Sequence, residues 1–269
     1  MPSNILRRNH VKVLGRGTQP MVFAHGFGCD QNMWRFIVPA FEQDYKIVLF
    51  DYVGCGNSDL AEYHPDRYAN LHGYAQDLLE VCEALHLTDV ILVGHSVSSM
   101  IGLLAAIKEP RRFSHLIMIG PSPCYIDSLP EYRGGFARSD IVELLNTMDQ
   151  NYIGWANFLA PAIMKNEDRP ELGAELKESF CSTDPQIARR FAEATFFSDN
   201  RADLENLTIP SLILQCSEDI IAPNEVGEYL ARRTPGSTFK QLRATGHCPH
   251  MSAPTETIAA IKDYLAVAE

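Results

Sequence analysis

The segment Val90-Ile-Leu-Val-Gly-His-Ser-Val-Ser-Ser-Met-Ile-Gly102 constrains this chain more than any other. Its first residues form an unbroken aliphatic run that fits a strand buried on both faces, and Met100, Leu103, Leu104 and Ile107 then recur at the spacing of a buried helical stripe. Strand, one-residue turn and helix together make the geometry that lifts a serine out of a sheet in a strained backbone conformation, with a helix N-terminus aimed at it. Gly94-His95-Ser96-Val97-Ser98 is one glycine short of Gly-x-Ser-x-Gly, and Ser98 is small enough for close strand-to-helix packing. The competing reading is a strand-to-helix turn whose serine only caps the helix, satisfying orphan amides. Partners elsewhere in the chain must decide between the two.

Those partners have room to exist. A chain of 269 residues suits one large domain, or one domain with an insertion, and buries roughly 70 to 75% of its unfolded surface. With 46% hydrophobic and 21% charged residues it reads as an ordinary globular protein without a disordered arm. Acidic residues outnumber basic ones by 34 to 23, and no basic run exceeds two residues, so nucleic acid is not an expected partner. The N-terminal stretch lacks the apolar core of a signal peptide, and no apolar run approaches the roughly 20 residues needed to span a bilayer; a cytoplasmic protein is expected. Seven cysteines without a Cys-x-x-Cys pair suggest reduced, mostly buried thiols. His247-Cys248-Pro249-His250 has no second ligand cluster beside it, so neither a metal nor any other cofactor is expected.

Strand-like runs occur at Val11–Leu14, Met21–Ala24, Lys46–Phe50, Val90–Val93, Leu116–Ile119, Leu212–Gln215 and Phe239–Leu242. Leu71–Leu87 reads as an amphipathic crossover helix with Tyr74, Leu78, Val81, Cys82 and Leu85 on its buried stripe and Asp77, Glu80 and Glu83 facing away. Strands alternating with helices give an α/β fold, a mostly parallel twisted sheet with helices on both faces. Only a short Gly-rich connection separates the first two strands, which predicts an antiparallel hairpin and a sheet mixed at that edge. Ligands of such sheets bind outside the strand carboxyl ends, where His25-Gly-Phe-Gly28, Gly94-His-Ser96 and Cys216-Ser-Glu-Asp219 all fall.

From 123 to 200 the strand pattern stops. Helices are expected at Ser139–Gln150, Tyr152–Met164, Pro170–Cys181 and Pro185–Phe196, forming a helical lid inserted in a core made of 1–122 and 201–269. The block is rich in aromatics, of which Tyr125, Phe136, Trp155, Phe158 and Phe196 are candidates to line an apolar substrate pocket; about half of the aromatic set should pack as the insertion's own core.

A serine hydroxyl is a poor nucleophile at neutral pH and needs a histidine base, itself fixed by an acid. In this strand, turn and helix context the chain order is serine, acid, histidine. His247 and His250 both follow the late strands, and His247, preceded by Gly246 in the loop after the final strand, is the preferred base. Glu218 and Asp219 both follow the Leu212–Gln215 strand; Asp219 is preferred because its loop returns inward through Ile220 and Ile221 and because a short carboxylate suits a fixed hydrogen bond. The main-chain amides of Phe27 and Val97 are the candidate oxyanion donors. His25 is expected to be a structural residue of its loop, and the Asp51–Asp59 segment a turn at the top of the sheet.

With these residues placed, the sequence resembles the α/β-hydrolase superfamily and, over essentially its whole length, the RsbQ-like stress-response regulators. The likeness rests on Arg8-Asn-His-Val-Lys-Val13, Gly26-Phe-Gly-Cys-Asp-Gln31, Phe50-Asp-Tyr-Val-Gly54, Gly94-His-Ser-Val97, Gly120-Pro-Ser-Pro-Cys-Tyr125, Asn151-Tyr-Ile-Gly-Trp155, Phe180-Cys-Ser-Thr-Asp-Pro185 and Gly246-His-Cys-Pro-His-Met251. Plant strigolactone and karrikin receptors are similar too, and Gly94-His-Ser-Val-Ser98 is closer to their turn than to the glycine-ending form. The resemblance implies a four-helix lid, a triad of Ser96, Asp219 and His247, and a small hydrophobic ligand. It also implies a regulatory role in sigma-B energy-stress signalling with a PAS-domain protein phosphatase (RsbP-like) as partner. A monomeric serine hydrolase used in signalling is therefore the leading expectation. A metabolic carboxylesterase or carbon–carbon hydrolase without a protein partner, and a ligand receptor that does not turn over, are the rivals.

Overall fold

A computed structural model describes residues 2–268. Seven strands form one sheet: β1 (Lys12–Leu14), β2 (Pro20–Ala24), β3 (Lys46–Leu49), β4 (Val90–His95), β5 (Phe113–Ile119), β6 (Ser211–Gln215) and β7 (Ser237–Gln241). Their spatial order is β1-β3-β2-β4-β5-β6-β7, with every neighbouring pair parallel except β1 with β3. All seven expected strands are present, with ends displaced by a few residues.

The expected hairpin is not. β1 lies antiparallel to β3, Lys12 opposite Leu49 and Leu14 opposite Ile47, and β2 is reached only by crossing the start of β3. The crossing is possible because of two glycines. A Cβ on Gly15, whose φ is +84°, would sit 2.2 Å from the Tyr45 carbonyl oxygen, and one on Gly17 would sit 1.9 Å from that of Asp44. The short connection therefore slides past another backbone where any side chain would collide. The mixed edge was anticipated; the partner strand was not.

Ten helices accompany the strands: α1 (Pro2–Arg8), α2 (Leu71–Ala84), α3 (Val97–Lys108), α4 (Arg138–Gln150), α5 (Tyr152–Met164), α6 (Pro170–Ser182), α7 (Pro185–Phe196), α8 (Asn224–Arg233), α9 (Pro249–Ser252) and α10 (Pro254–Ala268). Four of them, α4 to α7, stand between β5 and β6 in the chain. Asn151 and Asp184 cap α5 and α7 through their side chains, and Pro170 and Pro185 open α6 and α7, where a missing amide costs nothing.

Alternate residues of the central strands feed two separate cores, which is why the runs read as continuously apolar. Met21, Phe23, Ile91, Val93, Ile117 and Ile119 face a layer containing α10 and the apolar sides of α4 to α7. Val22, Ala24, Leu92, Leu116 and Met118 face α2, α3 and α8. Among the described residues no helix is long and apolar enough to cross a membrane.

Asp77 corrects the reading of α2. It is fully buried, not outward-facing, and accepts from Arg67 Nη2 (2.6 Å), the Tyr68 hydroxyl (2.9 Å), Val53 N (3.2 Å), Arg8 Nη2 (3.3 Å) and Asn9 Nδ2 (3.3 Å). Helical phase puts Asp77 one turn before Val81 and so beside the apolar stripe. Two arginines from outside the helix make that position tenable for a charge.

Candidate active site

Ser96 is the single residue between β4 and α3, with φ +56° and ψ −123°, a conformation that costs a non-glycine residue about 1–3 kcal/mol. Its amide is held by the Ile119 carbonyl of the adjacent strand (2.8 Å). The Ser96 side chain makes no helix-capping bond. Instead its Oγ lies 2.7 Å from His247 Nε2, while His247 Nδ1 lies 2.6 Å from Asp219 Oδ2. All three residues are buried. With Nδ1–H donating to the carboxylate, Nε2 is left as an acceptor for the serine proton.

The turn is built from small residues that other groups fill in around. A Cβ on Gly94 would lie 2.5 Å from the Ser98 carbonyl oxygen, so glycine is required there. Ser98, standing where a glycine is usual, has its own function: its Oγ donates to the His25 carbonyl (2.5 Å) and lies 3.0 Å from the Tyr52 hydroxyl, which is free to donate to it. That hydroxyl ties the ends of β2 and β3 to the turn. His25 behaves as a loop fastener, with Nε2 accepting from Tyr52 N (3.2 Å) and Nδ1 donating to Gly26 O (2.9 Å).

Asp219 Oδ1 accepts from the amides of Ile221 (2.8 Å) and Ala222 (3.1 Å), the inward return anticipated for this loop. Glu218 points away and pairs with Lys165 at the surface. The loops bearing the acid and the base are laced together by Ser217 N to Ala244 O (2.9 Å) and Gly246 N to Glu218 O (2.7 Å). The base loop is also fastened to α5: His247 N donates to Ile163 O (2.9 Å) and Asn166 Nδ2 to Thr245 O (3.0 Å). His250 is not on Ser96; its ring packs against Trp34 (4.7 Å) and His95 (4.5 Å). Burial first, then the neighbouring His247, hold the His250 pKa down at about 3. His95, lowered by burial, His250 and His247, donates from Nε2 to the His247 carbonyl (2.8 Å).

Val97 is the first residue of α3, so its amide has no acceptor within the helix. Phe27 sits in a turn closed by Cys29 N to Gly26 O (3.3 Å), and Gly28 beside it has φ +69° with Phe180 pressed where a Cβ would be. Val97 follows Ser96 directly in the chain, and Phe27 lines the same cavity as Ser96.

A cavity of about 30 Å³ lies over Ser96 and His247, walled by Phe27, Tyr125, Ile163, Leu176, Phe180, Thr195, Phe196 and Ile221, with His95, Cys29 and Cys248. Burial pushes the Cys29 and Cys248 thiols up, keeping them protonated. Of the aromatics expected in the wall, Tyr125 and Phe196 are there. Trp155 is one layer back, stacked on Phe180 (5.1 Å between centroids) and edge-on to Phe27 (6.2 Å). Phe136 is half-buried outside the wall, its backbone paired with Tyr125. Phe158 is 76% exposed and is not part of this wall. It lies away from the buried stripe of Ala156, Leu159, Ala160 and Ile163 on α5, so helical phase outweighs aromatic character. Phe27 as a side chain and Phe180, one of the aromatics of the 123–200 block, were not singled out from the sequence, and Thr195 escaped it. Leu176 and Phe180, four apart on α6, were the one signal for the second of these. An open groove of about 640 Å³ near Asn70, Arg138 and Arg190 also contains a serine, Ser198, but its hydroxyl donates to the Thr195 carbonyl (2.7 Å).

The α/β hydrolase fold family matches residues 19–254. The chain is 37% identical to the strigolactone esterase RMS3 of Pisum sativum, over 95% of this chain and 96% of that protein. It is 38% identical to a karrikin insensitive 2 receptor of Petunia hybrida, over 92% and 90% respectively. A hydrolase from Oleispira antarctica superposes with a TM-score of 0.96 at 45% identity, over 98% of this chain and 97% of that one. Fold, sequence and site geometry agree that this chain belongs to the α/β-hydrolase family.

Proposed function

We propose that this protein is a serine hydrolase for small, apolar esters or lactones, with Ser96 as nucleophile, His247 as base and Asp219 as its orienting acid. The observation that carries the proposal is the continuous hydrogen-bonded chain of Ser96, His247 and Asp219 opening onto an apolar cavity. Ser96 Oγ attacks the carbonyl carbon as its proton passes to His247 Nε2, and the negative oxygen is held by the Phe27 and Val97 amides. Collapse expels the alcohol, which takes the proton from His247. Water, deprotonated by the same imidazole, then releases the acid and restores Ser96.

Carbon-rich walls favour an uncharged, hydrophobic ligand. At about 30 Å³ the cavity is far smaller than the pockets that usually hold a small ligand, and we read the helices over it as parting from the sheet to admit an ester. Residues 123–200 thus act as a lid on a core of 1–122 and 201–269. A gated, tight site favours slow turnover, which suits a signalling hydrolase better than a metabolic esterase. On that ground, and on the likeness to RsbQ-like proteins and to relatives named as receptors, we assign it a cytoplasmic, monomeric role in sigma-B-type stress signalling with a PAS-domain phosphatase as partner.

The test is hydrolysis of p-nitrophenyl butanoate by wild type and Ser96→Ala, both checked for folding. A loss of at least about 1000-fold in kcat is expected. Equal rates in the two proteins overturn the assignment of Ser96.

A further inference from the structure

Two hydroxyls in the cavity wall are short of protein partners. Tyr125 is 1% and Thr195 2% exposed; Thr195 Oγ1 has no hydrogen-bond partner, and the Tyr125 hydroxyl has only Ser96 beside it. They come from different parts of the fold, Tyr125 from the segment after β5 and Thr195 from the last turn of α7. A threonine inside a helix usually turns its hydroxyl back onto the carbonyl four residues earlier; Thr195 does not, although Phe191 is there to accept. Other buried hydroxyls of the protein also lack partners, but Thr195 and Tyr125 share the lining of one cavity beside a nucleophile, and that placement points to a ligand that completes them.

The remaining wall narrows the chemistry of that ligand. Phe27, Ile163, Leu176, Phe180, Phe196 and Ile221 offer only carbon, Cys29, Cys248 and His95 are uncharged, and no lysine, arginine or carboxylate side chain faces the cavity among the described residues. A charged ligand would find no counter-ion there. A neutral oxygen, by contrast, can accept from one hydroxyl or the other without a desolvation penalty larger than the bond it gains. Ser96, Tyr125 and Thr195 line the same cavity, so a ligand held at the serine has both hydroxyls within its surroundings.

Resting on the hydrolase reading above, we propose that Thr195, together with Tyr125, selects neutral esters or lactones that carry a second oxygen, an ether, carbonyl or hydroxyl, besides the ester group being cleaved. Such an oxygen replaces the hydrogen bond that solvent otherwise supplies to the hydroxyl, whereas a methylene in the same place displaces solvent and returns nothing. Thr195 is the sharper of the two determinants, since the Tyr125 hydroxyl is near enough to Ser96 for the serine to offset part of the upward push that burial gives the phenol.

Matched ester pairs test this: p-nitrophenyl butanoate against methoxyacetate, and pentanoate against 3-methoxypropanoate, in which one oxygen replaces one methylene. The quantity read is the kcat/KM ratio of the oxygenated ester to its hydrocarbon twin, compared between wild type and variants so that intrinsic reactivity cancels. Thr195→Val should lower that ratio by about 5- to 10-fold in at least one pair, and Thr195→Ser should restore it. Its melting temperature should stay level or rise, because a hydroxyl without a partner is removed. Ratios unchanged in Thr195→Val for both pairs overturn the proposal, and a lowered melting temperature with unchanged ratios identifies the hydroxyl as structural and overturns it equally. Failure of the hydrolase reading itself looks different: no ester then shows turnover that depends on Ser96. In that event the same pairs, as amides, are compared by ligand-induced melting shifts, and equal shifts for wild type and Thr195→Val refute the selectivity.

Discussion

Asp219→Asn should disable the site by reversing a hydrogen bond, with almost no change in shape. In the wild-type protein one carboxylate oxygen is committed to two backbone amides, Ile221 N at 2.8 Å and Ala222 N at 3.1 Å, and the other faces His247 Nδ1 at 2.6 Å. An asparagine in this position must keep its oxygen on the two amides, because its NH₂ there would meet two donors. The NH₂ is then turned onto His247 Nδ1, which can only accept, and the imidazole proton moves to Nε2, 2.7 Å from Ser96 Oγ. Ser96 thereby loses its base and faces a donor. A wrong tautomer of this kind is worth about 10³- to 10⁴-fold in kcat, roughly 4–5.5 kcal/mol of barrier. The assay is steady-state hydrolysis of p-nitrophenyl butanoate at neutral pH. KM should stay within about threefold, since no ground-state contact to the acyl group is touched. Glu218→Gln is the control; its carboxylate is 63% exposed on the Lys165 side and its loss should leave kcat within about twofold. A kcat for Asp219→Asn within tenfold of wild type would refute the tautomer argument.

Two further expectations concern stability. Asp77→Ala leaves Arg8 and Arg67 buried or half-buried against each other with only Glu80 to share, and should cost about 3–5 kcal/mol, seen as a fall of roughly 10 °C in melting temperature; a loss below about 1 kcal/mol would contradict it. His250 has a folded-state pKa of about 3 against 6.5 when unfolded, so between those values the unfolded chain binds the extra proton and stability falls as the pH drops from 6.5 toward 3. That amounts to about 2 kcal/mol by pH 5, and His250→Phe should flatten the corresponding part of the melting temperature profile between pH 7 and 5.

The parts of this protein that could be read from the chain are those decided locally. All strands of the sheet and the helices α4 to α7 announce themselves through apolar runs, proline at the first turn and side-chain caps, and the serine, aspartate and histidine follow from chain order once the strands are placed. The parts that could not are decided by what arrives from elsewhere. Gly15 and Gly17 look like a hairpin turn until the backbone at Asp44 and Tyr45 is set beneath them. Asp77 has the phase of a buried residue and the charge of an exposed one, and only the arrival of Arg8 and Arg67 resolves the conflict. Phe158 and Phe180 are equally aromatic, yet one is in solvent and the other in the cavity wall, because each helix has one face to bury and the tertiary packing chooses it.

The fastening of His247 to α5 means that the imidazole cannot keep its place if this helix shifts. The base hangs from the Ile163 carbonyl by its own amide, and its loop is pinned again by Asn166 on Thr245. Gly246 is packed so tightly on Met164 that a Cβ there would come within 2.1 Å of the Met164 oxygen. A movement of α5 large enough to admit a ligand therefore pulls on the loop that holds the imidazole at Ser96. Were α5 to act as the proposed door, the nucleophile would be unarmed while the door stood ajar and rearmed as the helix settled back over its guest.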